Sequence, residues 1–73
     1  MEELLQFIVQ HIVTEPNEVG ISLQIDDSGK KTYILNTSEL DRAFVIGKKG
    51  STINAIRKLV SIKDPKSFVI IKD

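Results

Sequence analysis

Apolar side chains recur at helical spacing at the start of the chain and at alternate positions after it. Residues 1–13 predict an amphipathic helix, because six aliphatic residues fall on one broad face. These residues are Leu4, Leu5, Ile8, Val9, Ile12 and Val13. Pro16 ends the helix because it disfavours helical backbone at the residue before it. Residues 19–26 then alternate apolar with small or polar side chains, which predicts a half-buried strand.

A second strand and a short helix follow. Residues 31–37 are rich in strand formers and come after the turn residues 27–29, so they predict an antiparallel hairpin with the first strand. The run 38–41 (Ser-Glu-Leu-Asp) matches a capping box and predicts a short helix over about 39–46, which ends at the glycine at position 47. One side of this helix carries Leu40, Ala43 and Phe44.

The last third of the chain predicts a longer helix and a third strand. Ser51 is the expected cap of the helix, and Pro65 lies just beyond its end. Its core-facing stripe comprises Ile53, Ile56, Leu59 and Val60. Residues 67–72 are almost continuously apolar, as expected of a strand that is buried on both faces or lies in a parallel pair.

The predicted order is therefore αββααβ in a single domain over residues 1–73. The two-helix connection between the second and third strands fits a parallel pair in one sheet. The expected fold is a two-layer α+β domain, in which three helices cover one face of a three-stranded mixed sheet.

Charge is divided unequally along a chain whose formal net charge is zero. Residues 1–28 contain six acids and neither lysine nor arginine, whereas residues 29–73 contain ten bases and four acids. The span 42–58 holds five bases and no acid. This distribution favours an anionic partner for the second half, with ordinary solvated helix surfaces as the alternative.

Composition excludes several kinds of site. The chain has no cysteine and one histidine, His11, so disulfides are excluded and a zinc cluster or another metal cofactor is not expected. The acidic start lacks the basic region of a signal peptide, and no apolar run reaches the roughly 20 residues of a membrane span. These features predict a soluble cytoplasmic protein.

The segment Gly47-Lys48-Lys49-Gly50 joins the two consecutive helices with no residues to spare. Two glycines three positions apart are a weak signal alone, but here they place flexible backbone and two cations at a helix N-terminus. A nucleotide-binding P-loop ending at Lys48 would need glycine at 42 and serine or threonine at 49, where the chain has arginine and lysine. No nucleophile with a partnered base is visible, so an enzyme is not expected.

The segment 46–50 and the run 52–60 (Thr-Ile-Asn-Ala-Ile-Arg-Lys-Leu-Val) resemble the signature of KH domains, and the element order resembles the type II, or bacterial, arrangement. Such domains hold about four nucleotides of single-stranded RNA or DNA with a GxxG loop. Chain length and the Ile-Arg-Lys-Leu-Val run at 56–60 narrow the resemblance to small single-KH bacterial proteins of the KhpA/YlqC type. It implies a cytoplasmic RNA-binding protein, acting as a post-transcriptional regulator or RNA chaperone. Such proteins self-associate or pair with a larger KH-containing, Jag-type protein.

The resemblance also implies which residues bind RNA. The primary set comprises Ile46, Gly47, Lys48, Lys49, Gly50, Ser51, Asn54 and Arg57. Residues expected to extend the groove or its positive field are Arg42, Ala43, Ile53 and Lys58. A core position for Ile53, and solvated helix positions for Arg57 and Lys58, remain open alternatives. Ser51 stands where the family leads us to expect an arginine, which removes one phosphate contact.

Two alternatives concern how the chain acts. Its few aromatic residues argue against a platform on which bases stack on aromatic rings. A KH-shaped protein-interaction module, acting mainly through homodimers or heterodimers, is the alternative to RNA binding. The marginal stability of so small a domain favours some form of self-association.

Overall fold

Three strands form one mixed sheet in the computed structural model, which describes residues 1–72. The helices are α1 (Glu2–Gln10), α2 (Glu39–Ile46) and α3 (Ser51–Lys63), and the strands are β1 (Gly20–Ile25), β2 (Lys31–Asn36) and β3 (Ser67–Ile71). Their order confirms the predicted αββααβ arrangement. A short 3₁₀ turn occupies Pro16–Glu18, and a tight turn that contains two left-handed residues occupies Lys48–Gly50.

The strand pairing follows the predicted topology. β2 lies in the centre of the sheet, antiparallel to β1 and parallel to β3. Tyr33 of β2 lies opposite Leu23 in β1 and Val69 in β3, so all three strands place apolar side chains on the same face. β3 can run parallel to β2 because α2 and α3 carry the chain back to the end of the sheet at which β2 begins.

One hydrophobic core lies between this face and the three helices. It consists of Leu5, Val9, Val19, Tyr33, Leu35, Val45, Ile53, Ile56, Val60 and Val69. α1 contributes Leu5 and Val9, and α3 contributes Ile53, Ile56 and Val60, at helical spacing, which explains why the apolar periodicity predicted these two helices; α2 contributes Val45. Within residues 1–72, no helix is long and apolar enough to cross a membrane.

The predicted end of the first helix is wrong. α1 ends at Gln10, and residues 11–13 form a turn in which the amides of Ile12 and Val13 both donate to Val9 O. The third strand lies in a parallel pair with β2, which is one of the two alternatives predicted for it. It is not buried on both faces, because Phe68 and Ile70 are 54% and 43% exposed. All three helices pack on one face of the sheet, so alternate residues of β3 point to solvent.

The short helix α2 buries a carboxylate instead of its largest apolar side chains. Leu40, Ala43 and Phe44 are exposed, whereas Asp41 and Val45 face the interior. Asp41 is fully buried and accepts hydrogen bonds from the Thr14 amide (3.0 Å), the Thr14 hydroxyl (2.7 Å) and the Glu15 amide (2.8 Å). These bonds turn α2 so that its charged residue, rather than its largest apolar residues, lies inside.

Ser38 caps α2 as predicted, because its hydroxyl accepts from the Asp41 amide at 3.2 Å. The reciprocal half of the capping box is absent, since the Asp41 carboxylate accepts from the Ser38 hydroxyl at 3.1 Å instead of from the cap's own amide. Burial raises the pKa of Asp41, but the hydrogen bonds from Thr14, Glu15 and Ser38 outweigh it and hold the pKa below its ordinary value. Asp41 therefore stays ionised, and its hydrogen bonds link residues 14–15, in the connection after α1, to the start of α2.

Candidate nucleic-acid interface

Gly47 ends α2 in a backbone conformation that only glycine adopts readily. Its φ and ψ are 75° and 174°, and its amide donates to Ala43 O. A Cβ on this residue would collide with the Thr52 side chain and would lie 2.8 Å from the Thr52 amide nitrogen. The chain can therefore turn from α2 towards α3 over such a short distance only with glycine at this position.

The loop that follows exposes both lysines. Lys48 and Lys49 are exposed, and a hydrogen bond from the Gly50 amide to Gly47 O closes the turn at 3.2 Å. Lys49 is left-handed, with φ 55° and ψ 27°, although it carries a side chain. Backbone strain of this kind, of order 1–3 kcal/mol, is concentrated at ligand-binding sites. Gly50 is also left-handed, at φ 76°.

Ser51 is the first residue of α3 and not its cap, which corrects the prediction. Its backbone is already helical, at φ −62° and ψ −41°, and Gly50 occupies the cap position without a side-chain hydrogen bond to the helix. The left-handed conformation of Gly50 leads straight into the helix and leaves no extended residue for a serine cap. The first amides of α3 therefore begin directly behind the lysine loop.

Asn54 and Arg57 lie on the exposed side of α3 and are joined to each other and to β3. Arg57 Nε donates to Val69 O at 3.0 Å, and Arg57 Nη1 donates to Asn54 Oδ1 at 3.3 Å. Asn54 Nδ2 lies next to Gly50, 3.7 Å from the place where a Cβ of that glycine would be. A continuous surface therefore runs from the loop along α3 to the edge of β3.

A cavity of about 570 Å³ lies on this surface between α3 and β3. Its charged lining residues are Arg57, Lys58 and Lys66, and none of the acids among residues 1–72 lines it. Asn54 connects it to the loop, and Phe68, Pro65 and Val69 supply apolar surface. The arrangement can hold an anionic backbone at the loop and a planar, partly apolar group in the cavity.

The other predicted residues lie in different places. Ile46 is half-buried at the end of α2, and Ala43 is exposed on the same helix. Ile53 is only 5% exposed and belongs to the core, the alternative that the sequence left open. Arg42 lines a separate, smaller depression, whose other residues are Asn36, Thr37, Glu39 and Lys72.

Two cavity residues, Lys66 and Phe68, were missed by the sequence analysis. Lys66 lies in the connection that follows α3, and Phe68 lies on the exposed face of β3. The Lys30 ammonium lies 3.9 Å from the centre of the Phe68 ring, which adds a further cation to this side of the molecule. The alternation of apolar and polar residues in the first strand, which indicates a sheet with one open face, was the signal that could have placed Phe68 on that face.

His11 does not line the α3–β3 cavity, and its ring contacts its own helical segment. Its Nδ1 is 2.7 Å from Phe7 O, and its ring packs on Phe7 with a centroid separation of 4.3 Å. Residues 1–72 contain no group of three His, Cys, Asp or Glu side chains placed to hold a metal ion.

Gly47→Ala is expected to lower the free energy of unfolding by about 1–3 kcal/mol and to weaken any ligand held by the loop. The cause is the disfavoured backbone conformation together with the collision with Thr52. Gly20→Ala is the matched control, because its Cβ would meet only Asn36 Cβ at 3.9 Å in ordinary strand backbone. Urea unfolding measures both variants. Equal stability of the two would contradict the geometry described for the loop.

The αββααβ order, the mixed sheet and the Gly47–Gly50 loop between α2 and α3 define this molecule as a type II KH domain. The family model described as "KhpA/KhpB, KH domain" matches residues 2–67. The chain belongs to that family.

Curated relatives agree with the family. RNA-binding protein KhpA of Thermotoga maritima is 43% identical over 72 residues, which cover 96% of this chain and 95% of the relative. RNA-binding protein KhpA of Listeria monocytogenes is 43% identical over 82% of this chain and 78% of its own length. The protein of the same name in Chlamydia trachomatis is 37% identical over 82% of this chain and 76% of its own. No solved structure matched.

Proposed function

We propose that this chain binds single-stranded RNA with the Gly47–Gly50 loop and the adjoining α3–β3 cavity. One observation carries the proposal: two exposed lysines on a strained glycine loop adjoin a cavity in which the charged lining residues, within residues 1–72, are all cations. Such a surface attracts a phosphate backbone, and it has room beside it for unstacked bases.

The division of labour follows from the chemistry of each part. Lys48, Lys49 and the backbone of the two loop glycines contact phosphates, since glycine leaves no side chain between backbone and ligand. The cavity receives bases, with Phe68 and Pro65 offering apolar contact. A loop of this size spans about four nucleotides.

RNA is the proposed nucleic acid because the relatives in three organisms are named RNA-binding proteins. A single groove of this kind binds RNA weakly and releases it as the salt concentration rises. Such binding suits a cytoplasmic post-transcriptional regulator or RNA chaperone, which must contact many transcripts and dissociate from them.

A protein partner is the second proposal, and a different observation favours it. Leu59 and Ile62 on α3 are 51% and 75% exposed. A second copy of this chain, or a larger KH-containing protein, would cover them and would bring two loops together, raising apparent affinity through effective concentration. Sedimentation velocity of wild type and Ile62→Asp tests this. A concentration-independent monomer for the wild type would contradict self-association.

Binding of a short single-stranded RNA is expected to weaken with salt. The slope of log affinity against log salt is about −0.7 per neutralised phosphate, so two to four contacts give about −1.5 to −3. Lys48→Gln should make the slope shallower by about 0.7. Lys31→Gln is the control and should leave it unchanged, since the Lys31 ammonium already lies 3.5 Å from Asp64.

Fluorescence anisotropy across a series of salt concentrations measures these slopes. A wild-type slope near zero, or equal slopes for the wild type and the Lys48 variant, would contradict phosphate contact at the loop.

A further inference from the structure

Arg57 keeps part of its hydrogen-bonding capacity for a ligand. A guanidinium carries five N–H bonds. One on Nε is donated to Val69 O and one on Nη1 to Asn54 Oδ1, which leaves three without a partner among residues 1–72. The two bonds that are made hold the guanidinium at the wall of the cavity, in a fixed plane. The remaining donors are therefore positioned in advance of binding.

Arg57 also fixes the orientation of the Asn54 amide. Arginine has no acceptor, so the Asn54 atom that faces it must be the carbonyl oxygen. The NH₂ group consequently points the other way, towards Gly50 and the loop. Asn54 is a residue that could offer a base either a donor or an acceptor, and its arginine neighbour leaves the donor available.

The other polar side chains of the cavity also offer a ligand more strong donors than strong acceptors. Lys58 and Lys66 add ammonium donors. The hydroxyls of Ser61 and Ser67 donate to the backbone carbonyls of Lys58 and Asp64, at 2.8 and 2.7 Å. Their oxygens remain as neutral acceptors, which are weaker partners than charged donors. The side chains that can bind a base strongly are therefore donors.

We propose that Arg57 and Asn54 are the specificity determinant of this groove and that they favour bases with two adjacent acceptors on one edge. Guanine has O6 and N7, and cytosine has O2 and N3. In adenine the N1 and N7 acceptors flank an amino donor, and in uracil an N–H donor separates O2 and O4. Arginine paired to two acceptors of guanine is the commonest specific contact of this type. The proposal rests on RNA binding through this groove.

Hexanucleotides of sequence 5′-UUNNUU, with N as guanine, cytosine, adenine or uracil, test the preference by anisotropy at one salt concentration. The wild type is expected to bind the guanine and cytosine oligonucleotides about fivefold to tenfold more tightly than the other two. Equal affinity for all four would overturn the specificity proposal while RNA binding stands. No binding of any oligonucleotide would overturn RNA binding itself.

Two variants test the residues. Arg57→Lys keeps the charge but loses the planar fork, so the preference should fall below about twofold. Asn54→Asp replaces the donor by an acceptor, and its negative charge near the start of α3 is compatible with the helix dipole. In this variant the ratio of the affinity for the adenine oligonucleotide to the affinity for the guanine oligonucleotide should rise. Thermal unfolding followed by circular dichroism establishes that each variant is folded.

Lys58→Gln is the matched control, a cation of the same helix that lines the same cavity. It should weaken all four oligonucleotides alike and leave their ratios unchanged. If folded Arg57→Lys and folded Asn54→Asp both keep the wild-type base preference, other residues determine it and the proposal is overturned.

Discussion

Asp41→Ala is expected to lower the thermal midpoint by about 10 °C or more, because it removes the acceptor that joins two segments. Asp41 is fully buried and accepts from two backbone amides and two hydroxyls, which belong to Thr14, Glu15 and Ser38. Alanine leaves a void and takes the acceptor from all four donors. A small domain has little stability in reserve, so the loss is a large fraction of the total.

Asp27→Ala is the control, since Asp27 is exposed in the hairpin turn and should leave the midpoint unchanged. Calorimetry or circular dichroism measures both. A midpoint for Asp41→Ala within about 2 °C of the wild type would contradict the role assigned to this carboxylate.

Acid titration gives a second readout of the same residue. Hydrogen bonds hold the pKa of folded Asp41 below its ordinary value of 3.8. The ionised group therefore contributes stability above that value, and this stability is lost as the pH falls through the lowered pKa. Asp41→Asn should have a lower free energy of unfolding than the wild type at neutral pH. The difference in free energy between the two proteins should become smaller as the pH falls through the lowered pKa. A constant difference would assign the effect to something other than ionisation.

The sequence was sufficient for the fold wherever one face of an element is apolar. Val9, Ile56 and Val60 illustrate this, because each falls on a periodic stripe and each lies in the core. The prediction failed for Leu59, which was placed on the core-facing stripe of α3 and is 51% exposed, and it did not include the burial of Asp41 in α2. Periodicity cannot foresee that a carboxylate will be buried when the donors that satisfy it lie more than 20 residues away.

The candidate site was predictable at the loop and less so beside it. The two glycines and two lysines at positions 47–50 are contiguous, so local sequence places them together. The α3–β3 cavity unites Asn54 with Lys66 and Phe68, which only the packing of the strand beside the helix brings together. The bond from Arg57 to Val69 O has no signal in the sequence, since it joins a side chain to a backbone oxygen.

Lys48→Asp/Lys49→Asp is expected to weaken RNA binding at least tenfold, equivalent to about 1.4 kcal/mol. Both side chains are exposed and make no hydrogen bond or ion pair within residues 1–72, so the change should act on the ligand and not on the fold. Aspartate tolerates the left-handed backbone of Lys49 better than most residues do. The two reversals replace attraction by repulsion at the position where phosphates are proposed to bind.

A control with the same change in net charge separates local contact from the general field of the protein. Lys63→Asp/Lys72→Asp serves, because both lysines are exposed and neither lies in the loop. Lys63 is at the far end of α3, roughly 18 Å from the loop along the helix axis. This pair should weaken binding much less than the loop pair does, and less still as salt is raised.

Anisotropy of a labelled single-stranded RNA, titrated with the wild type and with both double variants at the same salt concentration, tests the central claim most directly. Circular dichroism establishes that all three are folded. The proposal predicts binding by the wild type, a modest loss for Lys63→Asp/Lys72→Asp and a loss of at least about tenfold for Lys48→Asp/Lys49→Asp. A folded loop variant that binds as tightly as the wild type would contradict RNA binding by the Gly47–Gly50 loop.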